Sequence, residues 1–199
     1  MTTPLRVAVA EDDRDTREFL QEALPRLGYS VTAAAGNGRE LIDACRRVRP
    51  DLIVTDIKMP DMDGIEAVSA INREALVPAV LVSAHHDDDL LSRVNEVPVM
   101  GYLVKPFSEA QLKTAVTVAM ARHRVFAALR QEAADLRQAL EDRKVIERAK
   151  GALMRRLGVD EEEAFRRLRS GASSQNLKLV EMGRQVIAAE SVFAELEDR

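Results

Sequence analysis

Short apolar runs alternate with helical patterns over the first 122 residues, and this alternation is the feature that most constrains the fold. The runs at residues 7–10, 52–55, 79–82 and 102–104 are almost continuously apolar, which is typical of parallel strands that are buried on both faces. A further run, at residues 29–34, lies between the first two. Because helical patterns separate the runs, we expect five βα units in an α/β, doubly wound parallel sheet.

Glycine, proline and acidic residues indicate where the predicted helices begin and end. Gly28 follows the first helical pattern, at the position that favours left-handed backbone, and Pro50 follows the second. Residues 36–38, Gly-Asn-Gly, form the turn before the second helix. The acidic triplet at residues 87–89 predicts the start of a short helix before the fifth strand, because carboxylates stabilise a helix N-terminus. We interpret the triplet as a cap and not as a metal site.

Polar side chains follow four of the runs. Glu11 and Asp12 follow the first run, Asp56 the third, and Ser83 and Lys105 the fourth and fifth. The carboxyl ends of parallel strands meet at one edge of a sheet, where ligands bind, so we expect these side chains to lie together. Three carboxylates repel one another unless a cation neutralises them, and oxygen ligands suit Mg²⁺. Such a cluster can receive a phosphoryl group beside Mg²⁺.

With the motifs around them, these residues resemble the receiver domain of bacterial response regulators over residues 5–122. The motifs are Glu11-Asp12, residues 56–64 (DIKMPDMDG), Ser83-Ala84 and residues 101–107 (GYLVKPF). The resemblance implies a flavodoxin-like sheet with strand order 2-1-3-4-5. It also implies phosphorylation by a sensor histidine kinase, in a protein that is a switch and not a metabolic enzyme.

The resemblance assigns roles to the acidic residues. It makes Asp56 the phosphoacceptor and implies that Asp12 and Asp56 bind Mg²⁺ directly. The backbone carbonyl of Lys58 is a further implied ligand, and Glu11 is implied to act through water. All four residues are therefore expected at one metal site.

The resemblance also implies a switch at the fourth and fifth strands. The Lys105 ammonium and the Ser83 hydroxyl are expected to hold phosphoryl oxygens. Inward movement of Ser83 then leaves space that Tyr102 fills, which changes the surface beside the fifth strand. The peptide bond between Lys105 and Pro106 is expected to be cis.

A long helix is the simplest interpretation of the chain after Ser108, because no proline and little glycine follow until Gly151. Apolar residues recur there at spacings of three and four and predict a modest dimeric coiled coil, with an intramolecular packing stripe as the alternative. The stripe comprises Val118, Val125, Leu129, Ala133, Leu136, Leu140 and Ile146. We expect a receiver domain at 1–122, a helical linker at 123–145 and an output domain of short helices at 146–199, separated at Gly158 and at residues 171–174.

Charge is distributed unevenly between the two halves. Residues 1–123 carry 14 basic and 19 acidic side chains, whereas residues 124–199 carry 15 and 14, so the output region alone has a basic cluster. Residues 143–154 and 158–169 of that region resemble the ANTAR domain of RNA-binding antitermination regulators, and its small residues Ala149, Gly151 and Ala164 are expected to let helices approach closely. The expected RNA contacts are Arg148, Lys150, Arg155 and Arg156.

Two functions from different classes fit this output region. In the first, phosphorylation allows the region to bind RNA hairpins in nascent transcripts and to prevent termination, with a possible homodimer as the active form. In the second, the helical tail binds a partner protein and not RNA. A DNA-binding regulator is disfavoured because no recognition-helix pattern is present.

The remaining features favour a cytoplasmic protein. No apolar stretch approaches the roughly 20 residues that a membrane helix needs, and the N-terminal residues lack a signal-peptide core. Cys45 is the one cysteine and cannot form an internal disulfide. Its place on an amphipathic helix predicts a half-buried, unreactive thiol.

Overall fold

The computed structural model of the chain describes residues 3–84 and 99–197. The described residues form two compact units, Met1–Ala127 and Ala128–Arg199. Their elements, in chain order, are β1 (Arg6–Ala10), α1 (Arg14–Arg26), β2 (Ser30–Ala35), α2 (Gly38–Val48), β3 (Leu52–Asp56), α3 (Gly64–Glu74), β4 (Ala79–Ser83), β5 (Val99–Val104), α4 (Glu109–Leu157), α5 (Glu161–Ser174) and α6 (Leu179–Glu197). Helix α4 contributes residues to both units.

The five strands form one parallel sheet in the order β2-β1-β3-β4-β5, which confirms the predicted doubly wound fold. The chain leaves β1 in one direction to reach β2 and later returns to the other side of β1 at β3. This reversal creates a crevice at the carboxyl ends of β1 and β3. The register places Ala10 beside Thr55, and Asp56 beside Val82, so the residues that follow these strands emerge at one edge.

Apolar side chains cover both faces of the sheet, as the continuous apolar runs predict. On one face, α2 and α3 pack on a cluster that includes Ala8, Ile53 and Leu81. On the other face, α1 and the first part of α4 pack on a cluster that includes Val9 and Val54. Successive residues of β1, β3 and β4 alternate between the two clusters, as the pleat requires.

The second unit is built around a small apolar cluster. Ala149 of α4, Leu168 and Ala172 of α5 and Met182 of α6 are buried together. Asp160 caps α5 by accepting a 2.8 Å hydrogen bond from the Glu163 amide, and Gly158, with a φ of 64°, separates α4 from α5. These contacts bring three helical segments around one core.

One predicted boundary in this unit is wrong. Residues 171–174 were expected to separate two helices, but they form the last turn of α5, and the break follows at residues 175–178. The reason is packing: Ala172 is buried in the core, and the Gly171 backbone lies against Met182. Tertiary contacts therefore override the low helix propensity of glycine and serine.

The apolar stripe on α4 is exposed over its middle section. Leu129, Leu136 and Leu140 have exposed fractions of 59%, 61% and 60%. The described part of the chain does not cover these side chains, which disfavours the alternative of an intramolecular packing stripe.

Two expectations remain, one for a short helix before β5 and one for the absence of a membrane-spanning helix. The short helix predicted from residue 87 onward lies outside the described residues. Among the helices that are described, none combines the length and apolarity needed to cross a membrane.

Candidate functional site

Three carboxylates meet at the crevice between β1 and β3. Glu11 and Asp12 directly follow β1, and Asp56 is the last residue of β3. One oxygen from each of the three lies within 4.8 Å of the others. Glu11 is fully buried, Asp56 is 7% exposed and Asp12 is open to solvent, so the cluster forms a pocket with one accessible side.

Lys105 extends into this cluster from the end of β5. Its Nζ donates hydrogen bonds to Glu11 Oε1 at 2.8 Å and to Asp56 Oδ2 at 2.6 Å. Partial burial alone would lower the pKa of Lys105, but the hydrogen bonds to Asp56 and Glu11 outweigh that effect and the net shift is upward. The side chain therefore carries a positive charge next to the proposed phosphoacceptor.

Glu11 is in an unfavourable place for a carboxylate. Burial raises the pKa of Glu11 to about 7, and the nearby charge of Asp56 adds to the rise, although the hydrogen bond from Lys105 opposes it. Its Oε2 is buried and has no hydrogen-bond partner among the described residues. A buried oxygen without a donor, beside two more carboxylates, is a site that fits a divalent cation with oxygen ligands. Mg²⁺ therefore fits the residues present.

The backbone around Asp56 is tightly packed. The Thr55 hydroxyl donates to the Asp56 carbonyl at 2.9 Å, and the Lys58 amide donates to Asp56 Oδ1 at 3.3 Å. A Cβ at Gly64 would lie only 1.9 Å from the same carbonyl, so only glycine fits where α3 begins. The loop from 57 to 63 is thus tied at both ends, with Lys58 on its exposed side.

The predicted switch residues lie on β4, which is next to β3, and on β5 at the edge of the sheet. The Ser83 hydroxyl, at the end of β4, donates to the Ala84 carbonyl at 2.8 Å. Tyr102 lies on β5 and is 46% exposed. The Lys105-Pro106 peptide bond is cis, as expected.

Arg17 is a residue that we did not predict to belong to this site. Its Nη1 donates to the backbone carbonyl of Glu11 at 2.5 Å and to that of Asp12 at 3.1 Å. It thereby holds the turn that carries two of the three carboxylates. The sequence signal was weak, because Arg17 is one of several charged residues in the first turns of α1 and these usually face solvent.

The four predicted RNA contacts differ in their surroundings. Arg148, Arg155 and Arg156 are exposed on α4, whereas Lys150 is buried. The Lys150 ammonium pairs with Glu161 at 2.6 Å and Glu147 at 2.9 Å, and it lies 5.9 Å from the centre of the Phe165 ring. Lys150 therefore joins α4 to α5.

Comparison with known proteins agrees with both parts of this description. Residues 7–117 match the response regulator receiver domain, and residues 134–187 match the ANTAR domain. The chain is 38% identical, over 184 residues, to the transcriptional regulatory protein PdtaR of Mycobacterium tuberculosis (strain H37Rv), covering 92% of this chain and 90% of that protein. It is also 34% identical, over 117 residues, to the KDP operon transcriptional regulatory protein KdpE of Escherichia coli (strain K12), covering 59% of this chain and 52% of KdpE.

Solved structures give the same assignment for the first unit. The signal receiver domain of a modulated diguanylate cyclase from Desulfovibrio desulfuricans G20 superposes with a TM-score of 0.58 at 26% identity, covering 62% of this chain and 98% of that one. The five-stranded parallel sheet, with acidic residues and a lysine at its carboxyl edge, is therefore a receiver domain. This chain belongs to the response regulators that carry a receiver domain followed by an ANTAR domain.

Proposed function

We propose that this protein is a two-component response regulator in which phosphorylation of Asp56 controls RNA binding by the ANTAR domain. The single observation that carries the first half is the 2.6 Å contact between Lys105 Nζ and Asp56 Oδ2, within a cluster of three carboxylates. An ammonium so placed can hold a phosphoryl oxygen once Asp56 is modified. The proposed donor is a histidine kinase in the cytoplasm.

Asp12, Asp56 and the backbone carbonyl of Lys58 are the proposed direct ligands of Mg²⁺, and Glu11 is proposed to act on the ion through water. When bound, Mg²⁺ supplies positive charge that offsets the repulsion between the carboxylates and the incoming phosphoryl oxygens. The buried Oε2 of Glu11, which has no hydrogen-bond partner within residues 3–84 and 99–197, supports this proposal.

In the proposed reaction, an oxygen of Asp56 attacks the phosphorus of the donor. A new O–P bond forms as the bond from phosphorus to the donor's leaving group breaks, and the leaving group keeps that electron pair. Lys105 exchanges its hydrogen bond with Asp56 for one with a phosphoryl oxygen, and the Ser83 hydroxyl turns from the Ala84 carbonyl to another. Tyr102 then moves inward, which is the proposed switch.

The proposed output is a homodimer that binds RNA hairpins and prevents termination of transcription. Unpaired hairpin loops expose bases and closely spaced phosphates, and guanidinium groups bind both. The exposed side chains of Arg148, Arg155 and Arg156 support this role. Lys150 would first have to exchange its contacts with Glu147 and Glu161 before it could bind a phosphate.

Mass spectrometry after incubation with acetyl phosphate and Mg²⁺ tests the phosphorylation step. We expect one added phosphoryl group on the wild type and none on Asp56→Asn. Asp61→Asn is the matched control, because Asp61 is an exposed carboxylate in the following loop, and asparagine tolerates its positive φ of 65°. A wild-type mass that does not change would refute the proposal.

Filter binding tests the RNA step, with a pool of hairpins that share a stem and have randomised loops. We expect binding that strengthens after phosphorylation, and we expect the logarithm of the association constant to fall linearly with the logarithm of salt concentration. Absence of binding in both states would favour the alternative function, in which the helical tail docks onto a partner protein.

A further inference from the structure

Gly151 lies in the interior of α4, six residues before its end. Glycine is unfavourable there, because it has no Cβ and loses more backbone freedom than alanine when a helix forms. Contacts around the glycine can show whether packing or a function offsets this cost. The surroundings of Gly151 decide which applies.

The other two helix-interior glycines of the second unit have packing reasons. A Cβ at Gly183 would lie 3.2 Å from Val145 Cγ1 and 3.5 Å from Ala149 Cβ, so this glycine lets α6 approach α4. At Gly171 a Cβ would lie 3.4 Å from Met182 Cε. Both glycines face the apolar core of the unit.

Gly151 has no such neighbour among the described residues. A Cβ there would have only Arg155 Nη1 within 4 Å, at 3.4 Å, and that atom is the flexible end of a long side chain. We expected Gly151 to let helices approach, but Ala149 and Ala164 fill that role, since both are fully buried. The fold of the unit therefore has room for alanine at residue 151.

Two arginines lie on either side of Gly151, which is partly exposed. Arg148 is three residues before Gly151 and Arg155 four residues after it, and these spacings place all three on one face of the helix. Arg148 is exposed, and Arg155 has a 69% exposed side chain that pairs with Glu190 at 2.6 Å. An exposed ion pair of this kind is weak, so a phosphate can replace the Glu190 carboxylate.

We propose that Gly151 is the point of closest approach between α4 and the sugar–phosphate backbone of bound RNA, with Arg148 and Arg155 each holding a phosphate beside it. The inference rests on the proposed RNA-binding function and names a contact within it. The helix already satisfies the amide hydrogen bonds of Gly151, so the glycine contributes space and the two arginines contribute charge. A methyl group at residue 151 would separate the RNA from both.

The substitution Gly151→Ala tests this directly, because stability and binding are expected to change in opposite directions. Helix propensity predicts that the thermal midpoint rises by roughly 2–4 °C. The dissociation constant for the tightest hairpin of the randomised-loop pool is expected to rise about tenfold. A residue that served only the fold would not give a more stable protein with weaker binding.

Two controls accompany the experiment, both in the full-length chain. Gly171→Ala adds the same methyl group at the glycine that packs on Met182, and we expect its affinity to match the wild type. Arg148→Gln is expected to weaken binding. It is also expected to reduce the slope of log affinity against log salt by about 1, which corresponds to the loss of one phosphate contact. The molecular mass of Gly151→Ala in solution is measured in parallel.

The outcomes separate this inference from the function on which it rests. If the wild type binds no hairpin, the proposed function itself fails. If the wild type binds and Gly151→Ala binds equally well, only the contact at Gly151 is refuted. The inference would also be overturned if Gly151→Ala no longer formed dimers but kept its RNA affinity. The glycine would then serve contact between two copies of the chain.

Discussion

Gly64 shows how one residue constrains the phosphoacceptor. A methyl group there would lie 1.9 Å from the Asp56 carbonyl oxygen and 2.8 Å from Thr55 Oγ1. These two oxygens are joined by a hydrogen bond, so moving either one away from the methyl group strains that hydrogen bond. We predict that Gly64→Ala destabilises the protein by about 1–3 kcal/mol, and that acetyl phosphate labels Asp56 more slowly.

Urea unfolding and the mass-spectrometric labelling assay measure these two effects. Gly36→Ala is the control, because the nearest atom to a Cβ at Gly36 is Glu40 Oε2 at 3.6 Å. Wild-type behaviour of Gly64→Ala would show that the loop can rearrange freely.

Arg17 carries the second prediction at this scale. Its guanidinium binds the carbonyls of Glu11 and Asp12, so Arg17→Ala releases the turn and lets the two carboxylates spread. Mutation of such orienting partners typically reduces metal affinity 10–100-fold, and we expect a loss of about tenfold for Mg²⁺ by titration calorimetry.

Arg14→Ala removes an exposed arginine that pairs with Glu18 on the same helix, and its Mg²⁺ affinity is expected to be unchanged. Equal affinities for all three proteins would exclude the positioning role.

The environment of Cys45 predicts the direction of a pH effect. Burial raises the pKa of this thiol from its ordinary value of 9.0 to about 12. Below pH 9 the thiol is neutral in both the folded and the unfolded protein, so it does not make the free energy of unfolding depend on pH. Between pH 9 and about 12 the unfolded chain loses this proton and the folded protein keeps it, so stability falls as pH rises. At pH 8, we expect iodoacetamide to modify Cys45 much faster in urea than in buffer, followed by mass. Equal rates would mean that the thiolate forms readily in the folded protein.

The elements of the receiver were predictable because each strand is a short, mostly apolar run, and four of the five runs are followed by a polar residue with a predicted chemical role. Glu11, Asp56 and Lys105 could be placed together from strand ends alone, since parallel strands share an edge. The pairing of Lys150 with Glu161, and the inclusion of residues 171–174 in α5, could not be predicted. Both depend on how α4, α5 and α6 pack, and the local sequence does not encode those contacts.

The exposed stripe on α4 leads to a prediction at the scale of one element. Leu129, Leu136 and Leu140 repeat at spacings of seven and four, which suits a seam between two parallel helices. We predict that Leu136→Glu weakens the proposed dimer at least about tenfold, because it buries a charge in that seam. Ala134→Glu adds the same charge at an exposed position outside the seam and is the control. Light scattering before and after phosphorylation gives the mass, and dimers that survive Leu136→Glu would exclude the seam.

At the scale of the whole molecule, one uninterrupted helix runs from the receiver into the ANTAR domain, since α4 spans Glu109–Leu157. Each residue of an α-helix adds about 100° of rotation, so an insertion changes the helical phase as well as the length. If the helix transmits the effect of phosphorylation to the ANTAR domain, that transmission is expected to depend more on the helical phase than on the length of the helix. Insertions after Ala134, where the neighbouring side chains are exposed, change these two properties separately.

We predict that a seven-residue insertion of helix-forming residues keeps the phosphorylation-dependent rise in RNA affinity, because seven residues nearly restore the helical phase. A four-residue insertion adds one full turn plus about 40° and shifts the apolar seam out of register, so it is expected to abolish the rise while leaving acetyl phosphate labelling of Asp56 intact. Filter binding with and without acetyl phosphate compares the two variants. An equal rise in RNA affinity on phosphorylation in both variants would mean that the linker acts only as a tether. Loss of the rise in both variants would mean that the length of the linker, and not its helical phase, is required.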